Sequence, residues 1–367
     1  MKVLVTGAKG FIGKNLVSQL KNKKIEVLEY DMDSNPDDLN KFTAVCDVVV
    51  HLAGINRPEK TEDFAGNPDF TSTLLQTLKK SKNKATVIVS SSTQAALDNP
   101  YGKSKKNTED VLLEYAKNNN SKVLIYRFPN VFGKWCKPNY NSVIATFCNN
   151  IANNKEITIN DENTKLTLVY IDDVVTELIN ATNGNANSID KTYCAVPTQY
   201  QVTLGEIAAT IRKFKTSRKD LQIPNMTGFE KALYSTYLTY LPVDDFSYPL
   251  DMKQDARGNF SEILKSPERG QFSVNTSKPG ATKGNHWHQS KNEKFLVVSG
   301  SATIKLRKIN EEQIIEYHVC GDKHEVIDIP PGYTHNVTNT GDTDMVMLIW
   351  ANEVFNQDNP DTYYEEV

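Results

Sequence analysis

Lys2-Val3-Leu4-Val5-Thr6-Gly7-Ala8-Lys9-Gly10-Phe11-Ile12-Gly13 carries a short branched apolar run straight into three glycines at spacing three and three. Val3–Val5 reads as a strand buried on both faces, and the stretch 11–21 reads as a helix. Between a strand and a helix each glycine has its own task. Gly7 permits a tight turn, Gly10 lets a pyrophosphate approach the backbone, and Gly13 allows the helix to pack closely on the sheet. The helix N-terminus then faces the phosphates, which makes Gly7, Lys9, Gly10, Phe11, Ile12 and Gly13 a candidate dinucleotide loop. Asp31 closes the next strand-like run, Ile25–Tyr30, 18 positions after Gly13. An acidic residue there suits a ribose 2′-hydroxyl and by electrostatics favours NAD over NADP.

The same rhythm continues to about residue 180. Val48–Leu52, Val87–Ser91 and Val123–Arg127 are further branched runs, and helix-like stretches lie at 69–81 and 103–117. Short apolar strands alternating with helices predict a doubly wound α/β domain with a parallel sheet. After about residue 243 the rhythm changes. Strand-like runs at 271–276, 294–299, 302–307, 313–319, 325–329 and 344–350 are separated by turns such as Lys278-Pro279-Gly280 and Pro330-Pro331-Gly332. Such punctuation predicts an all-β barrel or sandwich. Two domains follow, 1–243 and 244–367, as a length of 367 residues suggests.

Composition removes several classes of function. Forty-two Lys and Arg against 45 Asp and Glu give a net charge of −3, no electrostatic reason to bind nucleic acid or an anionic membrane. No apolar stretch approaches the ~18–20 residues of a membrane span. A strand that starts at Lys2 leaves no room for a signal peptide. Cys46, Cys136, Cys148, Cys194 and Cys320 form no CxxC and read as reduced thiols, so a cytoplasmic location is expected.

Tyr101-Gly102-Lys103-Ser104-Lys105 follows the serine run Ser90-Ser91-Ser92 that ends the fourth strand. Tyr101 and Lys105, four apart, share one helix face. A cation beside a phenol lowers its pKa and lets it exchange a proton with a carbonyl or hydroxyl. With His51-Leu52-Ala53-Gly54, Arg127-Phe128-Pro129-Asn130-Val131-Phe132-Gly133 and Tyr170-Ile171-Asp172-Asp173, residues 1–240 resemble the extended short-chain dehydrogenase/reductase family, a Rossmann fold. The resemblance implies Tyr101 as catalytic acid and Lys105 as holder of the nicotinamide ribose. It implies Ser92 as the group orienting a keto oxygen, Leu52, Ala53 and Gly54 beside the cofactor, and Asn130 in a nucleotide-sugar pocket. Tyr101 follows Ser92 by only nine positions, so Ser91 and Thr93 stay open for the serine role. Dehydratases of this family carry an Asp-Glu pair beside that serine; Thr93-Gln94 stands there instead.

In the second half, Gly280-x5-His286-x-His288-x4-Glu293-x6-Gly300 and Pro330-x-Gly332-x2-His335-x3-Asn339 set three histidines and a carboxylate around one end of a barrel. On a strand His286 and His288 point to one face, and His286, His288, Glu293 and His335 form a plausible divalent-metal site. These are the two motifs of the cupin family, matched over about residues 255–350, with zinc the expected ion. Asp255-Ala256-Arg257-Gly258-Asn259-Phe260-Ser261-Glu262 and Gln271-x3-Asn275-x-Ser277 also resemble the metal-free cupin epimerases of the rhamnose pathway. That resemblance implies His286 as a base and Arg257 and Glu262 as substrate contacts, so ligand and base both stay open for His286. His51, His318 and His324 read as packing or surface histidines.

A ketone at carbon 4 of a sugar acidifies carbons 3 and 5; an epimerase exploits that acidity and a reductase then ends it. The whole chain resembles the bifunctional capsular-polysaccharide enzymes in which a reductase is fused to a cupin. The resemblance implies carbon-3 epimerisation of a UDP-linked 4-keto-6-deoxy-N-acetylhexosamine, then reduction of carbon 4 with NADPH to the 6-deoxy-L-talose derivative, against the Asp31 reading of NAD. It also implies a homodimer. The alternative is a 4-keto-sugar reductase whose barrel is structural or senses a ligand.

Overall fold

The structure, a computed structural model, describes residues 1–367. The chain forms two compact units, Met1–Lys215 with Met226–Val243, and Thr216–Asn225 with Asp244–Val367. The short excursion 216–225 belongs to the second unit: Ile223 N donates to Lys265 O at 3.0 Å, and Gln222 forms a bridge with Lys265. No helix is long and apolar enough to cross a membrane. All five cysteines are free thiols.

The first unit is built as its apolar runs require. In order come β1 (Lys2–Thr6), α1 (Phe11–Asn22), β2 (Glu26–Tyr30), α2 (Pro36–Val45), β3 (Val48–His51), α3 (Gly66–Lys80), β4 (Thr86–Ser92), α4 (Pro100–Asn119) and β5 (Val123–Phe128). Then follow β6 (Asn130–Phe132), α5 (Val143–Ala152), β7 (Lys165–Tyr170), α6 (Ile171–Thr182), β8 (Tyr193–Cys194), β9 (Tyr200–Thr203), α7 (Leu204–Asp220) and α8 (Gly228–Leu238). The main sheet is parallel in the order β2-β1-β3-β4-β5-β8. Strand alternation divides the core: Val3, Val5, Val48 and Val50 pack with α1 and α6, whereas Leu4 and Val49 pack with α2, α3 and α4. This is the doubly wound architecture expected from the sequence. One αβ connection, α2, carries the chain from β2 across β1 to β3, so the strand order reverses at β1 and β3, where ligands of such sheets bind. A three-stranded sheet, β6-β7-β9, packs with α5, α7 and α8 around Phe132, Phe147 and Phe214.

The seating of α4 matters most for the site. Asn99 caps its first turn through Oδ1, which accepts Gly102 N at 2.8 Å, and Pro100 opens the helix. A Cβ at Gly102 would stand 2.2 Å from Gln94 O, so only glycine lets the helix lie against the turn that follows β4. Two turns on, fully buried Glu109 accepts Ser91 Oγ at 2.6 Å, Arg127 Nε at 2.9 Å and Tyr193 OH at 3.1 Å. It thereby ties α4 to β4, β5 and β8.

Apart from the last residues of α7, the second unit is built of strands, as predicted. Its strands are β10 (Lys253–Asp255), β11 (Gly258–Ser266), β12 (Gly270–Ser277), β13 (Thr282–Trp287), β14 (Glu293–Ser299), β15 (Ser301–Lys308), β16 (Ile314–Cys320), β17 (Val326–Ile329), β18 (Tyr333–Asn339), β19 (Met345–Ala351) and β20 (Tyr363–Tyr364). Two antiparallel sheets, β10-β11-β12-β19-β14-β17 and β16-β15-β18-β13-β20, enclose an apolar core of Phe295, Val297, Ile304, Leu306, Ile327, Val337 and Met347. The inner face of β12 is polar instead: Gln271, Ser273, Asn275 and Ser277 are all buried.

Glu109→Ala is expected to destabilise the first unit by about 3 kcal/mol, the low end for a broken buried pair, because Arg127 keeps partial contact with solvent. Native-state hydrogen exchange should then show β4 and β5 losing protection while the barrel strands keep theirs. Unchanged protection in β4 would remove Glu109 from the role given it above.

Candidate functional site

At the reversal point the glycine loop is held by sterics. Gly7 has φ +70°, and a Cβ there would lie 2.6 Å from Ala53 N; one at Gly13 would lie 2.1 Å from Gly7 O. Gly10 caps α1 without any side-chain acceptor, so the amides of the first turn, from Phe11 and Ile12 onward, are available to an anion. Leu52, Ala53 and Gly54 leave β3 beside this loop, with Leu52 N bonded to Thr6 O at 3.0 Å. Asp31 accepts Lys9 N at 2.7 Å and Met32 N at 2.8 Å, and Lys9 Nζ pairs with Asp33. His51 is a packing histidine: burial pushes it down to about 3, and its ring nitrogens meet Thr6 Oγ1 at 2.6 Å and Thr71 Oγ1 at 2.9 Å.

Tyr101 and Lys105 rise on the same face of α4, with Lys105 Nζ 5.8 Å from the centre of the Tyr101 ring. Lys105 is buried, and desolvation pushes its ammonium down to about 8 even though Glu109 opposes the shift. Nζ lies 3.5 Å from Ser90 O, and a Cβ on Gly54 would come within 3.1 Å of it. Burial raises the Tyr101 phenol, and a hydrogen bond with Ser92 opposes that rise. Of the serine run, then, Ser92 meets Tyr101, while Ser91 is committed to Glu109. Asn130, exposed at the start of β6, reaches Thr167 O at 3.4 Å.

Two asparagines escaped the sequence reading. Asn56 Oδ1 accepts the Tyr101 hydroxyl at 3.1 Å. Buried Asn67 grips Ile55 through both backbone groups (2.6 and 3.1 Å) and donates to Ser104 Oγ at 2.7 Å, pinning the loop after β3 to α4. The signal available was position: Gly54-Ile55-Asn56 directly follows the carboxyl end of a parallel strand, where ligand-binding groups of such sheets collect.

In the barrel, His286 and His335 sit opposite each other across β13 and β18, with Glu293 at the start of β14. Ligand atoms of His286, His288, Glu293 and His335 all lie within 4.8 Å of one another. Glu293 Oε2 stands 3.3 Å from Nε2 of both His288 and His335. Burial alone would raise the Glu293 carboxyl, but these two histidines hold it well below the usual carboxylate range. Burial, then the neighbouring histidines, push His286 down to about 4, which keeps it neutral with a free lone pair. His335 Nε2 is buried without a hydrogen-bond partner. An orphaned donor atom aimed into a His3Glu cluster fits a divalent transition metal.

His286, Glu293 and His335 line a cavity of about 490 Å³. Its wall is polar along Gln271, Ser273, Asn275 and Lys283, and apolar at Phe260, Phe295, Val337, Met347 and Ile349. Lys283 Nζ donates to Asn275 Oδ1 at 2.7 Å and Thr276 O at 3.0 Å. Arg257 lines the cavity with its guanidinium forked onto Asp255 at 2.6 and 3.1 Å. Glu262, grouped with Arg257 in the sequence reading, is not part of the cavity wall; its carboxylate takes Lys265 Nζ at 3.3 Å.

Residues 3–192 match the NAD dependent epimerase/dehydratase family, and residues 253–363 match the polysaccharide biosynthesis C-terminal domain. A UDP-2-acetamido-2,6-beta-L-arabino-hexul-4-ose reductase of Pseudomonas aeruginosa is 45% identical over 369 residues, 99% of this chain and 98% of the relative. The crystal structure of the capsular polysaccharide assembling protein CapF from Staphylococcus aureus superimposes with a TM-score of 0.94 at 53% identity, covering 100% of both chains. UDP-N-acetylglucosamine 4-epimerase from Bacillus cereus, 19% identical, covers 68% of this chain and 98% of its own at a TM-score of 0.56, a likeness of fold. The chain belongs to the NAD-dependent epimerase/dehydratase family and carries a polysaccharide biosynthesis C-terminal domain.

Proposed function

We propose that this chain is a bifunctional nucleotide-sugar enzyme of capsular polysaccharide biosynthesis, cytoplasmic and homodimeric. Its barrel epimerises carbon 3 of a UDP-linked 4-keto-6-deoxy-N-acetylhexosamine, and its first domain reduces the carbon-4 ketone with NADPH to UDP-2-acetamido-2,6-dideoxy-L-talose. The observation that carries this reading is the coexistence of two chemistries on one chain: the Ser92–Tyr101–Lys105 group beside a dinucleotide loop, and a cavity floored by His286. Near end-to-end likeness to a named UDP-sugar ketone reductase supports it.

In the reductase, a nicotinamide held by the glycine loop would supply hydride to sugar carbon 4, and Tyr101 gives its proton to the oxygen at that carbon. Ser92 donates a hydrogen bond to that oxygen, and Lys105 stabilises the resulting phenolate. NADPH is the reductant in this reading: Lys9 Nζ is the cation beside Asp31, and a 2′-phosphate would draw it from Asp33. In the barrel, Lys283, Asn275 and Arg257 orient the sugar nucleotide. A zinc ion held by His286, His288, Glu293 and His335 would supply Lewis-acid stabilisation of the enolate.

In D2O, without nicotinamide, the substrate is expected to lose its carbon-3 proton signal in NMR with wild type and with Tyr101→Phe, but not with His286→Ala. Added NADPH should yield the reduced sugar, slowed roughly 10²- to 10⁴-fold by Tyr101→Phe. No exchange above the enzyme-free rate, with NADPH still consumed, leaves a reductase with a structural barrel.

Zinc should bind at one equivalent per chain in calorimetry. His335→Ala should weaken it by more than the roughly 10- to 100-fold that supporting groups around a ligand cost. Chelation is expected to stop carbon-3 exchange and spare the reduction of epimerised substrate; exchange that survives full chelation returns His286 to the role of a plain base.

Because burial favours the neutral amine, Lys105 is charged below about pH 8 and neutral above it. Reduction should therefore lose kcat/KM as pH rises through about 8, and Lys105→Arg, which stays charged, should shift that limb upward. A profile flat to pH 9.5 would separate catalysis from the Lys105 charge.

A further inference from the structure

The segment Pro360–Glu366 is bonded to β13 and β18, which carry His286 and His335, and to the turn that follows His288. Asp361 is only 8% exposed, although most of its neighbours in the stretch 352–366 are open to solvent. Its Oδ1 accepts Gln289 N at 2.8 Å, and its Oδ2 accepts Ser290 N at 3.0 Å, Ser290 Oγ at 3.1 Å and Lys291 N at 2.8 Å. Four donors thus converge on one carboxylate from the turn that joins His288 to Glu293. Its own carbonyl meets His288 Nδ1 at 2.5 Å. Since a carbonyl only accepts, Nδ1 must carry a proton, which leaves Nε2, 3.3 Å from Glu293 Oε2, as the ring atom that can turn to a metal ion. On either side, β20 pairs Tyr363 with Trp287 and Tyr364 with His286, Lys291 Nζ reaches Pro360 O at 3.0 Å, and Thr334 Oγ1, beside His335, bonds to Glu365 O.

We propose that Asp361 is the positioning residue of the barrel's metal centre: its carboxylate clamps the turn Gln289–Lys291 while its carbonyl holds His288 as the Nδ1–H tautomer that presents Nε2 as a ligand. This rests on the metal reading given above. Asp361 belongs neither to the cavity wall nor to the ligand cluster, so it acts through His288 and through the position of Glu293 at the end of the same turn. A purely structural tail would contribute to stability alone. A clamp sets the tautomer and the affinity as well.

The test uses the full-length chain, with the histidine ¹⁵N spectrum of the metal-free protein and calorimetry with zinc chloride. Wild type should show His288 as the Nδ1–H tautomer. Asp361→Ala should lose that single tautomer and raise the zinc Kd roughly 10- to 100-fold, while reduction of epimerised substrate by the first domain is unchanged. Asp361→Asn, which keeps one oxygen acceptor, should fall between them, and it serves alone if the alanine variant does not fold. Glu365→Ala removes the tail's ion pair with Arg307 and leaves Asp361 in place, so it should keep the wild-type tautomer and Kd. Wild-type tautomer and affinity in both Asp361 variants, or an equal loss in Glu365→Ala, overturns the assignment. If wild type itself binds no zinc, the metal reading fails separately, and the tautomer spectrum alone decides whether Asp361 holds His288.

Discussion

The buried carboxylate of Glu109 is the constraint on which the first domain's chemistry stands. Moving a charge out of water costs several kcal/mol, and the structure offsets this with a guanidinium and two hydroxyls that come from three different strands. Those partners can meet only if α4 lies at one height over β4 and β5. Tyr101, Lys105 and Glu109 are spaced by four, so the height that satisfies Glu109 also sets Lys105 against Gly54 and Tyr101 against Ser92. Ser91 and Ser92, neighbours on one strand, point to opposite faces and do different work: one locks the helix and the other faces the phenol.

The barrel solves the opposite problem, keeping a polar interior without filling it. Gln271 and Ser273, then Asn275 and Ser277, hydrogen-bond in pairs along β12, and Asn275 is also claimed by Lys283. Polar groups that satisfy one another in this way can line a cavity beside an apolar core without unfolding it. His335 Nε2 is an exception, as is Oδ1 of the neighbouring Asn336, and an exception at the centre of a ligand cluster is where function is expected to have overridden packing.

What the sequence revealed follows from the same division. The strands β1, β3, β4 and β5 were legible because burial on both faces makes them largely apolar runs, and the edge strand β2 because Ile25, Val27 and Leu28 still mark it. In the barrel, β12, β14 to β17 and β19 were legible, but β11, β13 and β18 were not. Thr282-Lys283-Gly284-Asn285-His286-Trp287 has no apolar alternation to find, because its inward positions are spent on the cavity. The histidine spacing located the cluster where hydrophobic periodicity was silent. Asn67 and Asp361 were invisible for another reason: each acts through backbone groups brought close only by the fold. Glu262 shows the converse, since a residue's period does not disclose that Lys265, three positions on, has already taken its carboxylate. Thr216–Asn225 was missed because α7 enters it with no change in composition.

The two chemistries also constrain each other. Epimerisation next to a ketone is reversible, because the same acidity that removes the carbon-3 proton returns it to either face. Reduction at carbon 4 raises that C–H bond beyond the reach of any side-chain base and fixes whichever configuration the reductase accepts. On the proposed function, discrimination at the Tyr101 site would decide the product, and the barrel would need only to keep the two epimers in exchange faster than hydride transfer drains one of them. A buried lysine that loses its charge near pH 8 makes that drain pH-dependent, while burial keeps His286 neutral well below that range. On the proposed function, raising the pH through 8 should thus slow the second step before the first, and the two epimeric 4-ketones accumulate in their equilibrium ratio.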